Sequence, residues 1–409
     1  MPITLKKTRE FIYNMAVVIY IMVLIFQSSM YMFNHSIYIV LEYIKKITIL
    51  LLVVKIFMDI IEPGNKFNLK NIFITFVLTI IIFLSLIKTD DIATTLFLLI
   101  VLIASNNTNF ERVIKNIFFI ELFSFIFILL SCKMGIIEDF TIRRELGEEY
   151  RHSLGFIHPN TLMLSFFSIV ILYLYWQKDK INLIKTLMLF VFSLVIFYYT
   201  DSRMGLVAVI LALIINYIFK FKGKIILAKY GNILSWSIVI FAVLSVIMTI
   251  LYPKINMSKL NELLSNRILL QYRALDRYGI TLFGQEIEWV GQGASNEELD
   301  WNKYNFIDNS YIKALVNNGI LFFMLIILGH YYILKEQIVK NRNVYAFVAV
   351  FMIGIYSITD VALLRIMYNP FIILMAPMFN IFSSNKKENY SAVGKENKNE
   401  KEYIKELHI

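Results

Sequence analysis

PKINMSKLNELLSNRILLQYRALDRYGITLFGQEIEWVGQGASNEELDWNKYNFIDNS, residues 253 to 310, is the one long stretch of this chain that a lipid bilayer excludes. Everywhere else the intervals between apolar runs are shorter, so the rest of the sequence reads as a scaffold that presents this segment on one side of a membrane. The stretch carries Arg267, Arg273 and Arg277, the aromatics Trp289 and Trp301, and Gly284, Gly291 and Gly293. Leu260, Leu263, Leu264, Ile268, Leu269, Tyr272 and Leu275 recur at helical spacing, which a disordered linker lacks. The expectation is an ordered, amphipathic element outside the bilayer.

Of the 409 residues, 58% are hydrophobic and 17% charged, with a mean hydropathy of +0.65. An average soluble domain is roughly 25% charged. The chain therefore reads as an all-α integral membrane protein. In a soluble protein a net charge of +10 points to nucleic acid. Here the basic residues fall mainly in short loops, where they orient the chain in the membrane, and no nucleic acid partner is expected. The single cysteine, Cys132, excludes an intrachain disulfide and a cysteine metal cluster. Lys6, Lys7 and Arg9 precede an apolar run as in a signal sequence, but no small-residue cleavage pattern follows, and the run is expected to stay attached as the first span.

Measured against the roughly 20 residues that cross a bilayer, apolar runs lie near 11–29, 37–60, 70–87, 91–105, 113–132 and 158–177, and again near 183–199, 204–219, 233–252, 311–334, 344–360 and 362–382. This predicts about twelve transmembrane helices with both termini cytoplasmic. The cytoplasmic loops then hold Lys66 and Lys70, Arg112 and Lys115, Lys178, Lys180 and Lys185, the group Lys220, Lys222, Lys224 and Lys229, and Lys335, Lys340 and Arg342. The short outer loops hold little besides His35, Lys88 and Arg203. Loops 133–157 and 253–310 face outward. The membrane domain is residues 1–382, and 383–409 is a charged cytoplasmic tail. No phosphate-binding loop or fixed-period repeat is present.

Candidate chemistry gathers on the outer side. The first outer loop contains Arg143, Arg144, Arg151 and His152 and ends in Gly155-Phe156-Ile157-His158-Pro159-Asn160. Pro159 suits a first helical turn, so His158 and Asn160 sit beside a helix N-terminus, either as a plain cap or as part of an anion site. Arg203 follows Asp201 in a tight turn at the membrane rim, where a charge faces a polar cavity or a partner. Asp308, Asn309, Ser310, Tyr311 and Lys313 open the tenth span. Asp360 and Arg365 read as a structural ion pair. Within the membrane, Glu42 with Lys45 and Lys46, and Lys55 with Asp59, are spaced for neutralisation along a helix. Glu121 has no local partner and must meet another helix or line a cavity.

Three features, Arg151-His152-Ser153-Leu154-Gly155-Phe156-Ile157-His158-Pro159-Asn160, Asp201-Ser202-Arg203, and Leu260 to Ile268 followed by Tyr278 to Gly284, resemble the Wzy-type O-antigen and capsule polysaccharide polymerases, relatives of the O-antigen ligases. Asp308-Asn309-Ser310-Tyr311 and Asn318-Gly319-Ile320 fit as well. The likeness covers the middle and last third of the chain; the first 130 residues match only in hydropathy. It implies a membrane-embedded, metal-independent glycosyltransferase without a cofactor, in the bacterial cytoplasmic membrane. Such an enzyme joins undecaprenyl-pyrophosphate-linked oligosaccharides into capsular polysaccharide, exopolysaccharide or O-antigen on the outer face. A chain-length regulator and a flippase of the same pathway are the implied partners besides the bilayer. Arg151, Arg203, Arg267 and Arg273 are then the expected pyrophosphate ligands, since guanidinium groups bind phosphate oxygens in pairs. Asn160, Asn309 and Tyr311 are further substrate contacts, and either His158 or Asp308 is the base for the acceptor hydroxyl. A lipid-linked oligosaccharide flippase or a solute transporter is the alternative on composition alone.

Overall fold

A computed structural model describes residues 2–62, 65, 67–89, 92–143, 149–291 and 304–382. Lys66, Arg144, Gly293, Trp301 and the tail from Ser383 lie outside the described residues. The elements are helices α1 (Pro2–Gln27), α2 (His35–Ile61), α3 (Leu69–Ile87), α4 (Ile92–Ala104) and α5 (Phe110–Lys133), a two-stranded hairpin of β1 (Thr141–Ile142) and β2 (Arg151–His152), then α6 (Pro159–Gln177), α7 (Leu183–Thr200), α8 (Arg203–Leu234) and α9 (Ser237–Leu251). Next come the short α10 (Ser258–Leu263), α11 (Arg267–Tyr278), α12 (Ser310–Lys313), α13 (Gly319–Tyr332), α14 (Val344–Tyr356) and a 3-10 segment, Pro370–Phe379.

Asparagine punctuates these helices. Asn34, Asn68, Asn109, Asn182, Asn309 and Asn343 each accept backbone N–H groups of the following turn through their side chains. These are the donors that a helix start leaves unsatisfied. Apolar residues decide what packs where. α6 is buried on nearly every face, the mark of a central helix. α7 exposes Leu183, Ile184, Leu187, Met188, Val191, Phe192 and Val195, a face that only lipid covers without cost.

Seven helices among the described residues are long and apolar enough to cross a membrane. This is an all-α membrane protein, and the other five of the twelve expected spans are more charged, shorter or irregular. α2 is long enough yet carries Glu42, Lys45, Lys46, Lys55 and Asp59. α4, α9 and α14 have 13, 15 and 13 residues. The expected last span, 362–382, is irregular backbone followed by a ten-residue 3-10 segment. Pro370 starts that segment and Pro377 lies inside it, and proline removes the amide an α-helix needs.

The intrahelical charge pairs form as their spacing predicts, Lys45 with Glu42 at 2.9 Å and Lys55 with Asp59 at 2.5 Å. Lys55 also donates to the carbonyls of Ala104 and Asn106 at the end of α4, and Arg9 of α1 joins Asp59 and Glu62. This network lies at the end of the bundle opposite the N-terminus of α6.

The run from Ser310 to Val339 is one span with a fault in it. Ala314–Asn318 is a π turn, and Gly319 adopts φ +86°, which stops the helix and restarts it. Residues 281–285 of the long loop lie in the gap. Ile320 and Leu321 donate to the carbonyls of Thr281 and Leu282, and the Gln285 amide donates to the Asn317 carbonyl. The backbones at Gly284 and Gly319 come so close that a Cβ on Gly319 would stand 2.3 Å from the Gly284 nitrogen. Only glycine fits both the dihedral and the approach.

Candidate functional site

Five parts of the chain meet at the end of the bundle that carries the N-termini of α6 and α8. The first is the hairpin loop. Asp139 accepts from the Leu154 amide and pairs with His152, Ser153 N–H donates to Phe140, and β1 pairs with β2 in antiparallel register. These bonds hold Arg151 inward, buried, with Nε donating to the Thr200 carbonyl and an Nη donating to Asn160 Oδ1, both at 2.7 Å. Asn160 thus orients Arg151.

His158 caps α6. Its Nδ1 accepts the Asn160 amide at 3.0 Å, so in the neutral ring the proton sits on Nε2. Burial, and then the positive charges of Arg151 and Arg267, push its pKa down to about 3. A ring in that state donates a hydrogen bond through Nε2 and is a weak proton acceptor.

The third part is α11, the amphipathic helix legible in the long loop. Asn261 of α10 accepts from the Leu269 amide and bonds Asn266, which sets the start of α11. Gln271 meets Thr249 of α9 at 3.1 Å and Asn309 at 3.4 Å, which anchors the helix to the bundle. Arg267, in its first turn, is buried, and its Nε lies 3.2 Å from Asp308 Oδ2. Burial opposes its charge, but Asp308 and Asp360 more than offset that and hold its pKa above the ordinary value. Its Nη1 is buried without a partner among the described residues.

Asp308 and Asp360 are brought together by stitching between the start of α12 and the segment after α14. Ser310 N–H donates to the Ser357 carbonyl, Ser310 Oγ donates to the Asp360 carbonyl at 2.8 Å, and Leu363 N–H donates back to Ser310 Oγ. Asp360 lies beyond α14, buried, with Oδ1 accepting the Val361 amide. Burial and then the neighbouring Asp308 raise its pKa to about 7, against the lowering effect of Arg267. Tyr304 beside Asp308 is pushed up in the same way, by burial first.

Not every expected ligand joins this cluster. Arg203 is exposed at the start of α8, with Nε 3.5 Å from Asp201 Oδ1, because Asp201 takes a left-handed turn (φ +41°) that points the pair outward. Arg273 lies on the exposed face of α11, away from Arg267. Asn309 and Tyr311 are fully buried, and their polar atoms are consumed. Asn309 caps α12 and bonds Ser245 and Gln271, and the Tyr311 hydroxyl donates to the Gly354 carbonyl at 2.9 Å. In this structure both form part of the framework that holds the start of α12.

No family model, curated protein or solved structure matches this chain. The reading of the site therefore stands on its own geometry. In that geometry Asp360 is the residue that sequence reasoning misplaced. Arg365 is exposed and makes no ion pair with Asp360 among the described residues; the carboxyl instead joins Arg267 and Asp308 from a distant part of the chain. Tyr356 was also missed, and its buried hydroxyl lies against the Asp360 carboxyl group. The one sequence signal was the polar run Ser357-Ile358-Thr359-Asp360 at the end of an apolar stretch. No group of three or more metal-ligating side chains occurs among the described residues.

Proposed function

We propose that the chain is a membrane-embedded, metal-independent glycosyltransferase that polymerises undecaprenyl-pyrophosphate-linked repeat units on the outer face of a bacterial cytoplasmic membrane. The observation that carries this reading is Arg267: a buried guanidinium, held by Asp308 through Nε, whose Nη1 has no hydrogen-bond partner among the described residues and which lies close enough to the Asp360 carboxyl group to lower its pKa. A guanidinium in such a setting suits a phosphate oxygen, and its attraction grows as the leaving group gathers charge. Arg151, aimed by Asn160 and Thr200, adds a second positive charge near His158.

In this mechanism the bond between the anomeric carbon of the growing chain and its lipid pyrophosphate breaks, and the pyrophosphate departs with the electron pair towards Arg267. The acceptor hydroxyl of the next lipid-linked unit forms the new glycosidic bond and gives its proton to Asp360. A base that titrates near the working pH suits the task. His158, with Nδ1 committed to the helix cap, donates through Nε2 to a phosphate oxygen instead. Asp308 keeps Arg267 in place.

The outward orientation rests on the loop lysines and on all twelve apolar runs crossing, the short α4, α9 and α14 included. Reporter fusions after Lys224 and at the C-terminus are expected to behave as cytoplasmic, and fusions near Asn296 as extracytoplasmic. Activity is tested by the glycan profile of a deletion strain. Single lipid-linked repeats without polymer are expected; repeats trapped on the cytoplasmic face would instead make the chain a flippase.

A further inference from the structure

Glu121 lies near the middle of α5, 3% exposed, with no basic partner among the described residues. Its Oε2 accepts from Ser168 Oγ of α6 at 2.9 Å, while Oε1 is buried and unpaired among the described residues. Ser168 Oγ stands 3.2 Å from the Met367 carbonyl as well. Around them the Ser124 hydroxyl is buried and unpaired among the described residues, and the buried hydroxyls of Ser165 and Tyr368 face each other. Glu121, Ser165, Met367 and Tyr368 line a small cavity whose remaining wall is Ile25, Phe125 and Ile169. The centre of a water-sized sphere has about 10 Å³ in which to move, the room of one water or one small ion.

A carboxyl group at this depth must be neutralised, and polar atoms in an apolar surrounding are costly unless they find partners. The nature of the wall says which partner fits. Every donor atom is oxygen, from one carboxylate and several hydroxyls, a set that suits a hard cation and offers nothing to a soft one. One carboxylate balances one positive charge, so a divalent ion would leave an excess. Met367 and Tyr368 also belong to the irregular backbone between α14 and the 3-10 segment. Non-helical backbone inside a membrane bundle is tolerated where it is packed in protein or lines a cavity, and broken segments of this kind hold monovalent cations in transporters.

We propose that this cavity binds a monovalent cation of sodium size, with Glu121, Ser165 and Tyr368 as the liganding side chains. The ion ties α5 and α6 to the 357–369 segment. That segment carries Asp360 at its other end, so occupancy sets how firmly the carboxyl group is held. The binding step needs no polysaccharide chemistry and stands whether or not the chain is a polymerase.

The test is thermal unfolding of the purified full chain in detergent, with sodium chloride replaced stepwise by choline chloride at constant ionic strength. A melting temperature that rises and saturates with sodium is expected. Glu121→Gln should abolish the dependence, and Ser165→Ala or Tyr368→Phe should each raise the half-saturating sodium concentration about tenfold. If Glu121→Gln does not fold, the two milder variants and the wild-type titration decide the matter. Identical melting of wild type in sodium and in choline overturns the proposal, as does a melting temperature that follows pH but not sodium.

Discussion

Two polar clusters sit at opposite ends of this bundle, each built around buried basic and acidic side chains, and they differ in how completely they are satisfied. At one end Lys55 has three oxygen partners, Asp59 takes Lys55 and Arg9, and Arg9 also grips Glu62. Every charge there is answered. At the other end Arg267 has Asp308 on one nitrogen and, among the described residues, nothing on another, while burial and the neighbouring Asp308 hold the Asp360 carboxyl well above the usual carboxylate range. A closed network is a staple, because nothing a ligand offers improves on the contacts already made. An open one costs stability when empty and returns it when a charged ligand arrives, which is how sites differ from struts.

The comparison breaks most visibly at Asp360. Asp360→Asn should lower polymer formation from purified lipid-linked units by roughly 100- to 10,000-fold, the usual worth of a general base. The pH profile supplies the sign. Below about 7 the wild-type carboxyl is protonated and cannot accept a proton, so rate should climb as pH rises through about 7, and the asparagine variant should lose that limb. A wild-type rate independent of pH between 5 and 9 would remove Asp360 from the chemistry.

Next comes Arg267→Lys, which keeps the charge but not the planar fork. The expected loss is on the order of 100- to 1,000-fold in rate at an unchanged protein level. A residual rate near wild type would mean that the arginine only anchors α11.

The closed cluster should answer differently. Lys55→Met leaves Asp59 buried with Arg9 alone, and stability should fall by about 3–5 kcal/mol. Activity per folded molecule should not change. Reduced specific activity in the folded fraction, measured beside the unfolding curve, would make the two clusters less distinct than their geometry implies.

The smallest effect is expected at the rim. Arg203 is exposed and pairs with Asp201 among the described residues, so Arg203→Lys should keep the rate within about threefold, since both side chains reach water from a helix end. A hundredfold loss in the same assay would bring Arg203 back as a pyrophosphate ligand.

Much of the scaffold is legible in the sequence because a bilayer imposes a simple rule on apolar runs. The run expected at 70–87 is the helix Leu69–Ile87, and that at 183–199 is Leu183–Thr200. The rule fails where backbone chemistry intervenes, as at Pro370 and Pro377, since hydropathy does not register a missing amide. In the long loop the helical spacing from Leu260 to Leu275 resolves into two helices, because Ser265 and Asn266 turn left-handed between them. The site divides in the same way. Arg151, His158, Asn160 and Asp308 stand out in the sequence as polar residues near the ends of apolar runs, and Arg267 as an arginine on the helically patterned part of the long loop. That Arg203 points outward, that Asn309 is consumed by capping, and that Asp360 turns from Arg365 towards Arg267 are facts of tertiary contact that no local spacing encodes.

The fault at Gly319 bears on how this chain can change over evolutionary time. Because Thr281, Leu282 and Gln285 complete the hydrogen bonding of a helix 32 to 39 residues further on, residues 281–285 of the long loop and the broken span form a single unit of inheritance. Loops of membrane proteins ordinarily drift and recombine freely; this one cannot be grafted from another chain unless Asn317, Asn318 and Gly319 travel with it.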